Sequence, residues 1–211
     1  MTRTSSVTSY IVGDRLPWPD DSPASPSAGP FDAGAIYHGT SRRECSIAKI
    51  SAHGATLRGA AARAAGDRVS VELGTGQRPA GTVAWVSGDE AGVYFHQPVD
   101  LLALINRSLI AQPAERRSMP RVEISCAAHL KWAGRCEFVT LRNISARGLQ
   151  IAGEDLPAAD TFVSVLLPGL AVPGGEIVWR NDGRAGIELF EELSWTSLLP
   201  WIRDMMRKGL H

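Results

Sequence analysis

Hydrophobic side chains fall along this chain in short alternating runs separated by turn residues. Arg68–Leu73 alternates, with Val69, Val71 and Leu73 on one side. Gly81–Val86 and Gly92–His96 flank Ser87-Gly88-Asp89-Glu90, the pattern of a hairpin. At Asp100–Leu109 the period changes, and Leu101, Leu104, Ile105 and Leu109 line one face of a short helix. Ile110–Glu115, with Pro113, reads as a linker. The plan then recurs. Val122–Trp132 and Cys136–Arg142 predict paired strands across Ala133-Gly134, and Leu149–Ile151, Phe162–Leu167, Glu176–Trp179 and Ala185–Leu189 predict the rest. Gly169–Gly175 reads as a hairpin turn. The spacing of Leu198, Leu199, Ile202, Met205 and Met206 predicts a helix over Ser194–Lys208, with Pro200 delaying or kinking its start and Gly209 ending it.

The recurrence needs no gaps. A shift of 94 residues lays Ile50-Ser51-Ala52 on Ile144-Ser145-Ala146 and Gly54 on Gly148. It also lays Val69-Ser70-Val71 on Val163-Ser164-Val165, Trp85 on Trp179, and Ala91-Gly92 on Ala185-Gly186. From Lys49/Asn143 to Phe95/Leu189, sixteen of forty-seven pairs are identical, roughly five times the background rate. A period this long, present twice, marks two related domains. The expectation is a mainly β chain: two small antiparallel six-stranded β-barrels in tandem, each followed by a C-terminal helix. Residues 1–31, with Pro17, Pro19, Pro23, Pro26 and Pro30, read as a disordered Pro/Ser-rich tail. Residues 32–109 form the first barrel and helix, 110–121 a linker, and 122–211 the second barrel and helix.

Composition narrows the function. With 22 basic and 22 acidic side chains in 211 residues, the chain lacks the cationic excess of a nonspecific nucleic-acid binder. No run approaches about 18 apolar residues, so no membrane span is expected, and the polar start predicts a cytoplasmic protein. Cys45, Cys126 and Cys136 have no metal-ligand spacing and read as buried, reduced thiols in strands. His38, His53, His96, His129 and His211 are scattered, and no nucleophile elbow is present, so no catalytic residue, metal or resident cofactor is expected.

The repeat serves as its own control. Positions shared by both copies are mostly glycine, valine, serine and tryptophan, the materials of turns and core. The differences are chemical: Asn143 replaces Lys49, Arg147 replaces His53, and Arg180 replaces Val86. Ahead of the second copy stands Arg116-Arg117-Ser118-Met119-Pro120-Arg121, whereas Pro23 and Ser27 lie 94 residues before Arg117 and Arg121. Guanidinium groups bond in pairs to phosphate oxygens and to the O6/N7 edge of guanine. Asn143 and Ser145 can bond a base edge, and Gly148 permits a close backbone approach. The shared tryptophans Trp85 and Trp179 read as core residues more readily than as stacking platforms.

Arg117-x-x-x-Arg121, preceded by Arg116 and followed by Asn143-x-Ser145-x-x-Gly148, resembles the signature of PilZ domains. These are small β-barrels that bind the bacterial second messenger cyclic di-GMP. The resemblance covers roughly Pro113–Glu192, and Gly34–Pro98 resembles the same barrel without the signature, a degenerate copy. It implies that Arg117 and Arg121 clasp guanine and phosphate, with Arg116 as helper, while Asn143, Ser145 and Gly148 face a guanine. Arg147 and Arg180 join them on the comparison of the copies. The family admits Asp or Asn at the first position, so Asn143 is within pattern but brings no negative charge to guanine N1–H and N2–H. The implied function is a non-catalytic cyclic di-GMP receptor in which binding changes the inter-domain arrangement and the capture of an output protein, through the first barrel. Two alternatives stand beside it. One is a protein-interaction scaffold with lost or marginal nucleotide binding; the other is an RNA or DNA binder using the same arginines, which the charge balance disfavours.

Overall fold

The computed structural model describes residues 8–18, 31–60, 64–111 and 120–208, and it divides into two compact units, Met1–Arg121 and Val122–His211. In the first unit the strands are β1 (Ser9–Ile11), β2 (Asp32–His38), β3 (Ser41–Ser51), β4 (Gly54–Arg58), β5 (Arg68–Glu72), β6 (Ala80–Ser87) and β7 (Glu90–Phe95), followed by helix α1 (Leu101–Ala111). Antiparallel pairing runs β2–β3–β4–β7–β6–β5 and returns from β5 to β2, closing a barrel. Inward residues such as Ile36, Ile47, Leu57, Val71, Val83 and Val93 are almost wholly buried. They alternate with outward positions as a closed sheet with one dry face requires. Asp100 caps α1, its Oδ1 accepting from Ala103 N–H at 3.0 Å.

The second unit repeats the plan with β8 (Arg121–Trp132), β9 (Arg135–Ile144), β10 (Gly148–Ala152), β11 (Phe162–Leu166), β12 (Gly175–Asn181), β13 (Arg184–Leu189) and α2 (Trp195–Arg207). Pairing runs β8–β9–β10–β13–β12–β11 and closes from β11 back to β8, a six-stranded antiparallel barrel. The β8–β9 turn places Ala133 and Gly134 at φ 44 and 79, and the β12–β13 turn places Asp182 and Gly183 at φ 46 and 69. Both are two-residue hairpins whose twist matches the strands they join. Leu198, Trp201 and Ile202 of α2 are buried, and Trp201 Nε1–H donates to the Pro168 carbonyl at 2.9 Å. That bond ties the helix to the Pro168-Gly169 turn inside the glycine-rich stretch.

The 94-residue shift holds in the backbone. Phe95 N–H donates to His53 O at 2.8 Å and Leu189 N–H to Arg147 O at 3.0 Å; Val99 N–H donates to Ala52 O at 2.9 Å and Leu193 N–H to Ala146 O at 2.7 Å. Strand bulges fall at matching places too, at Val83/Trp85 in β6 and Ile177/Trp179 in β12.

Several expectations need correction. Residues 8–18, assigned to a disordered tail, are structured: β1 pairs in parallel with Lys49–Ser51 of β3, and Tyr10 and Ile11 are fully buried. The three apolar residues Tyr10-Ile11-Val12 find their burial on the chain's own first barrel, which supplies the surface that composition alone did not predict. Pro200 does not delay α2. The helix starts at Trp195 under a Ser194 cap and carries Pro200 inside it. Cys45 is buried, with burial raising its thiol pKa to about 11, but Cys126 is only half-buried and Cys136 is exposed. Arg116, Arg117 and Gly209 lie outside the described residues. Among the described residues no helix is long and apolar enough to cross a membrane, and no cluster of side chains is suited to a metal ion.

Tyr10 anchors the N-terminal strand. Its hydroxyl donates to Asp32 Oδ2, whose other oxygen accepts from Ser108 Oγ of α1 at 3.3 Å, and burial beside that carboxylate raises the phenol pKa. Tyr10→Phe leaves this half-buried carboxylate short of a donor. The expected loss is about 1–3 kcal/mol of first-unit stability, seen as a lower urea midpoint at unchanged slope.

Candidate functional site

Antiparallel register builds a lateral line across the outer face of the second barrel. Glu123 pairs with Asn143, Asn143 with Gln150, Gln150 with Gly186, and Gly186 with Trp179. Directly opposed residues share a face, so these five positions lie side by side across β8, β9, β10, β13 and β12. At about 4.8 Å per strand, the stretch from Asn143 to Trp179 spans roughly 14 Å. The line holds two carboxamides at one end and an indole at the other. Asn143 Nδ2–H donates to Gln150 Oε1, which orients both amides.

Gly186 is what allows the indole to lie down. A Cβ at this position would stand 2.1 Å from Trp179 Nε1, so the ring occupies the space of the missing side chain. Trp179 is 38% exposed. It is therefore a surface aromatic and not the core residue expected; the bulge at Ile177/Trp179 turns it outward. Trp85 stands over Gly92 in the same way, the corresponding distance also being 2.1 Å.

The β9–β10 turn carries the motif. Ser145 N–H and Oγ–H both donate to the Gly148 carbonyl, at 2.9 and 3.2 Å. In the first unit Ser51 Oγ accepts from His53 N–H at 3.2 Å, so both serines serve their turns. A Cβ on Gly148 would approach the Ile187 carbonyl to 2.6 Å, and one on Gly54 the Val93 carbonyl to 2.7 Å. Glycine is thus required at both turns by the packing of the next strand. Arg147 points from this turn to Glu192, Nε to Oε1 3.5 Å, with both side chains nearly half exposed. Such a pair is weak, about 0.2–1 kcal/mol, and can be exchanged for another anion.

Arg121 opens β8, two residues ahead of Glu123 and hence on the same side of that strand. It is partly buried, and desolvation lowers its pKa from the ordinary arginine value, although the guanidinium remains charged. Arg180 is not brought into the line. Its strand partner is Ala185, one pair beyond Gly186, and its Nη1 donates to the Leu156 carbonyl at 2.6 Å. It holds the loop that follows β10. Gln150 escaped the sequence reading because its counterpart is Thr56, a change in no recognised motif. Its signal was available in alternation, since Gln150 stands between buried Leu149 and Ile151.

No family model and no curated protein matches this chain. Among solved structures, the chain is similar to the Borreliella burgdorferi PlzA protein in complex with c-di-GMP, at 12% identity over 83% of this chain and 87% of that one, with a TM-score of 0.32. It is also similar to the Bacillus subtilis inhibitor of motility MotI/DgrA, at 10% identity over 84% and 95%, TM-score 0.32. A third is YcgR in complex with c-di-GMP from Escherichia coli, at 11% identity over 84% and 83%, TM-score 0.29.

Gly148→Ala forces a methyl against the Ile187 carbonyl. We expect it to cost about 1–3 kcal/mol in a urea titration of the intact chain, with Gly54→Ala behaving alike in the first unit.

Proposed function

We propose that the second unit is a receptor site for cyclic di-GMP, acting by binding and not by catalysis. The observation that carries this is the outward line Asn143–Gln150–Gly186–Trp179, two amides level with an exposed indole on a surface flattened by a glycine. A guanine laid against the indole turns its edge toward the carboxamides, which can donate and accept at once. Arg121 supplies a poorly solvated cation on the adjoining strand, where a phosphate oxygen or the O6/N7 edge is bonded most strongly. Arg117, with Arg116 as helper, completes the clasp in this reading; Arg147 exchanges Glu192 for phosphate. Ser145 and Gly148 keep the turn that presents Asn143. Arg180 is left out, because its guanidinium is committed to Leu156. Capture of the linker arginines by the nucleotide is the step that alters the arrangement of the two units and their binding of an output protein.

A second reading rests on the exposed rings of the second barrel. Phe162 and Phe190 are 69% and 61% exposed and meet edge to face, with centroids 5.7 Å apart. An aromatic pair left this open favours a protein partner, and the two readings are compatible in one chain.

Calorimetry of the intact chain with cyclic di-GMP tests the site. One charge-assisted bond is worth about 1.5–3 kcal/mol, so Arg121→Ala and Arg117→Ala should each weaken binding by roughly 10- to 100-fold. Trp179→Ala should weaken it as well, and Arg180→Ala should leave affinity alone. Unchanged affinity in Arg121→Ala, or displacement by an oligonucleotide as readily as by the cyclic dinucleotide, removes the proposal.

A further inference from the structure

The first unit contains the same outward line, and it is not empty. Lys49 pairs with Thr56, Thr56 with Gly92, and Gly92 with Trp85, the positions 94 residues before Asn143, Gln150, Gly186 and Trp179. Leu16-Pro17-Trp18 lies across them. Thr56 Oγ–H donates to the Pro17 carbonyl, where the second unit has the Gln150 amide. Trp18 meets Trp85 edge to face, with centroids 6.2 Å apart and planes at 85°. A Cβ on Gly92 would stand 2.7 Å from Trp18 Cζ3, and one on Gly54 would stand 3.5 Å from Pro17 Cδ and 3.6 Å from Leu16 Cδ2. Thr56 and Pro17 are buried, and so is Trp85 Nε1, which has no hydrogen-bond partner among the described residues.

The strand edge is filled as well. Val122 and Glu123 of β8 pair with Ile144 and Asn143; on the equivalent stretch of β3, Ser9 and Tyr10 of β1 pair with Lys49 and Ile50, running in the opposite sense. β1 is fastened there by Thr8 Oγ–H to Ile47 O at 2.7 Å and by Tyr10 to Asp32.

We infer that this face of the first unit is a peptide-binding site, specific for a Leu-Pro-Trp segment, which the chain fills with its own residues 16–18. Three features make it a built site. Proline brings no N–H to be satisfied, so the segment crosses the face without joining the sheet, and the Pro17 carbonyl meets the buried Thr56 hydroxyl. Gly92 supplies clearance for the Trp18 ring that any side chain would close, and Gly54 lies within contact distance of Pro17 and Leu16. The Trp85 ring gives the incoming indole an edge-to-face partner. A filled face admits no base or foreign peptide unless Leu16–Trp18 leaves it. The inference stands apart from nucleotide binding by the second unit, and its test uses no nucleotide.

The indole N–H signals of the intact chain provide the readout, with Trp85 and Trp179 assigned through Trp85→Phe and Trp179→Phe. In the wild type the Trp85 N–H should exchange with solvent more slowly than that of Trp179. Replacing Leu16, Pro17 and Trp18 together by Ser, leaving β1 intact, should accelerate Trp85 exchange about tenfold or more and leave Trp179 unchanged. A peptide of residues 14–20 added to that variant should restore slow exchange; a scrambled peptide should not, and the wild type should not respond to either. Unchanged exchange in the variant overturns the inference, as does failure of the peptide to restore protection. Should the triple variant lose the amide signals of the folded first unit, Trp18→Ala is measured the same way, and an unaltered Trp85 rate in it is equally fatal.

Discussion

An indole lying flat over a glycine organises both faces of interest. At Trp179 over Gly186, and again at Trp85 over Gly92, no Cβ can be added without striking the ring. The strand bulge that turns each tryptophan outward and the glycine beneath it form one unit, since neither makes sense without the other. The consequence is a smooth aromatic surface on the outside of a barrel whose inside is closed by aliphatic packing. Everything proposed for either unit depends on that surface being either open or covered.

The two copies diverge in how they meet that choice. The second unit places amides, Asn143 and Gln150, beside the ring and leaves the ring 38% exposed. The first places Lys49 and Thr56 at those positions and covers the ring with Trp18. Replacing an amide that reaches outward with a short hydroxyl suits a face that receives a backbone carbonyl, since threonine bonds Pro17 within a dry contact. An outward pair of amides suits a polar planar ligand with donors and acceptors on one edge. The same scaffold thus carries a self-occupied face and an open one, and few substitutions separate them.

Sequence comparison within the chain went far. The 94-residue repeat marked the matching strands and turns of the two units, and apolar spacing marked the helices, because hydrophobic periodicity and turn glycines are local signals. It separated turn chemistry from ligand chemistry only in part. Ser145 was read as facing a base, yet Ser51 does similar turn work in a unit lacking the arginines. The comparison of the copies draws in Arg180, where it replaces Val86 beside Trp179, but one step along a strand moves a side chain to the other face, and it bonds Leu156.

What the sequence by itself determined was periodic: which residues turn inward, where strands end, which copy gathered cations. What the tertiary structure decided was adjacency. Gln150, Gly186 and Trp179 become neighbours only through register set by barrel closure, and period two reveals a residue's face without naming the residue beside it. The fate of residues 8–18 was hidden for the same reason. Three apolar residues in a proline-rich stretch look too few to fold, and locally they are; Tyr10 pairs with Ile50 and Trp18 meets Trp85, 40 and 67 positions away, on a surface that exists only once the first barrel has closed.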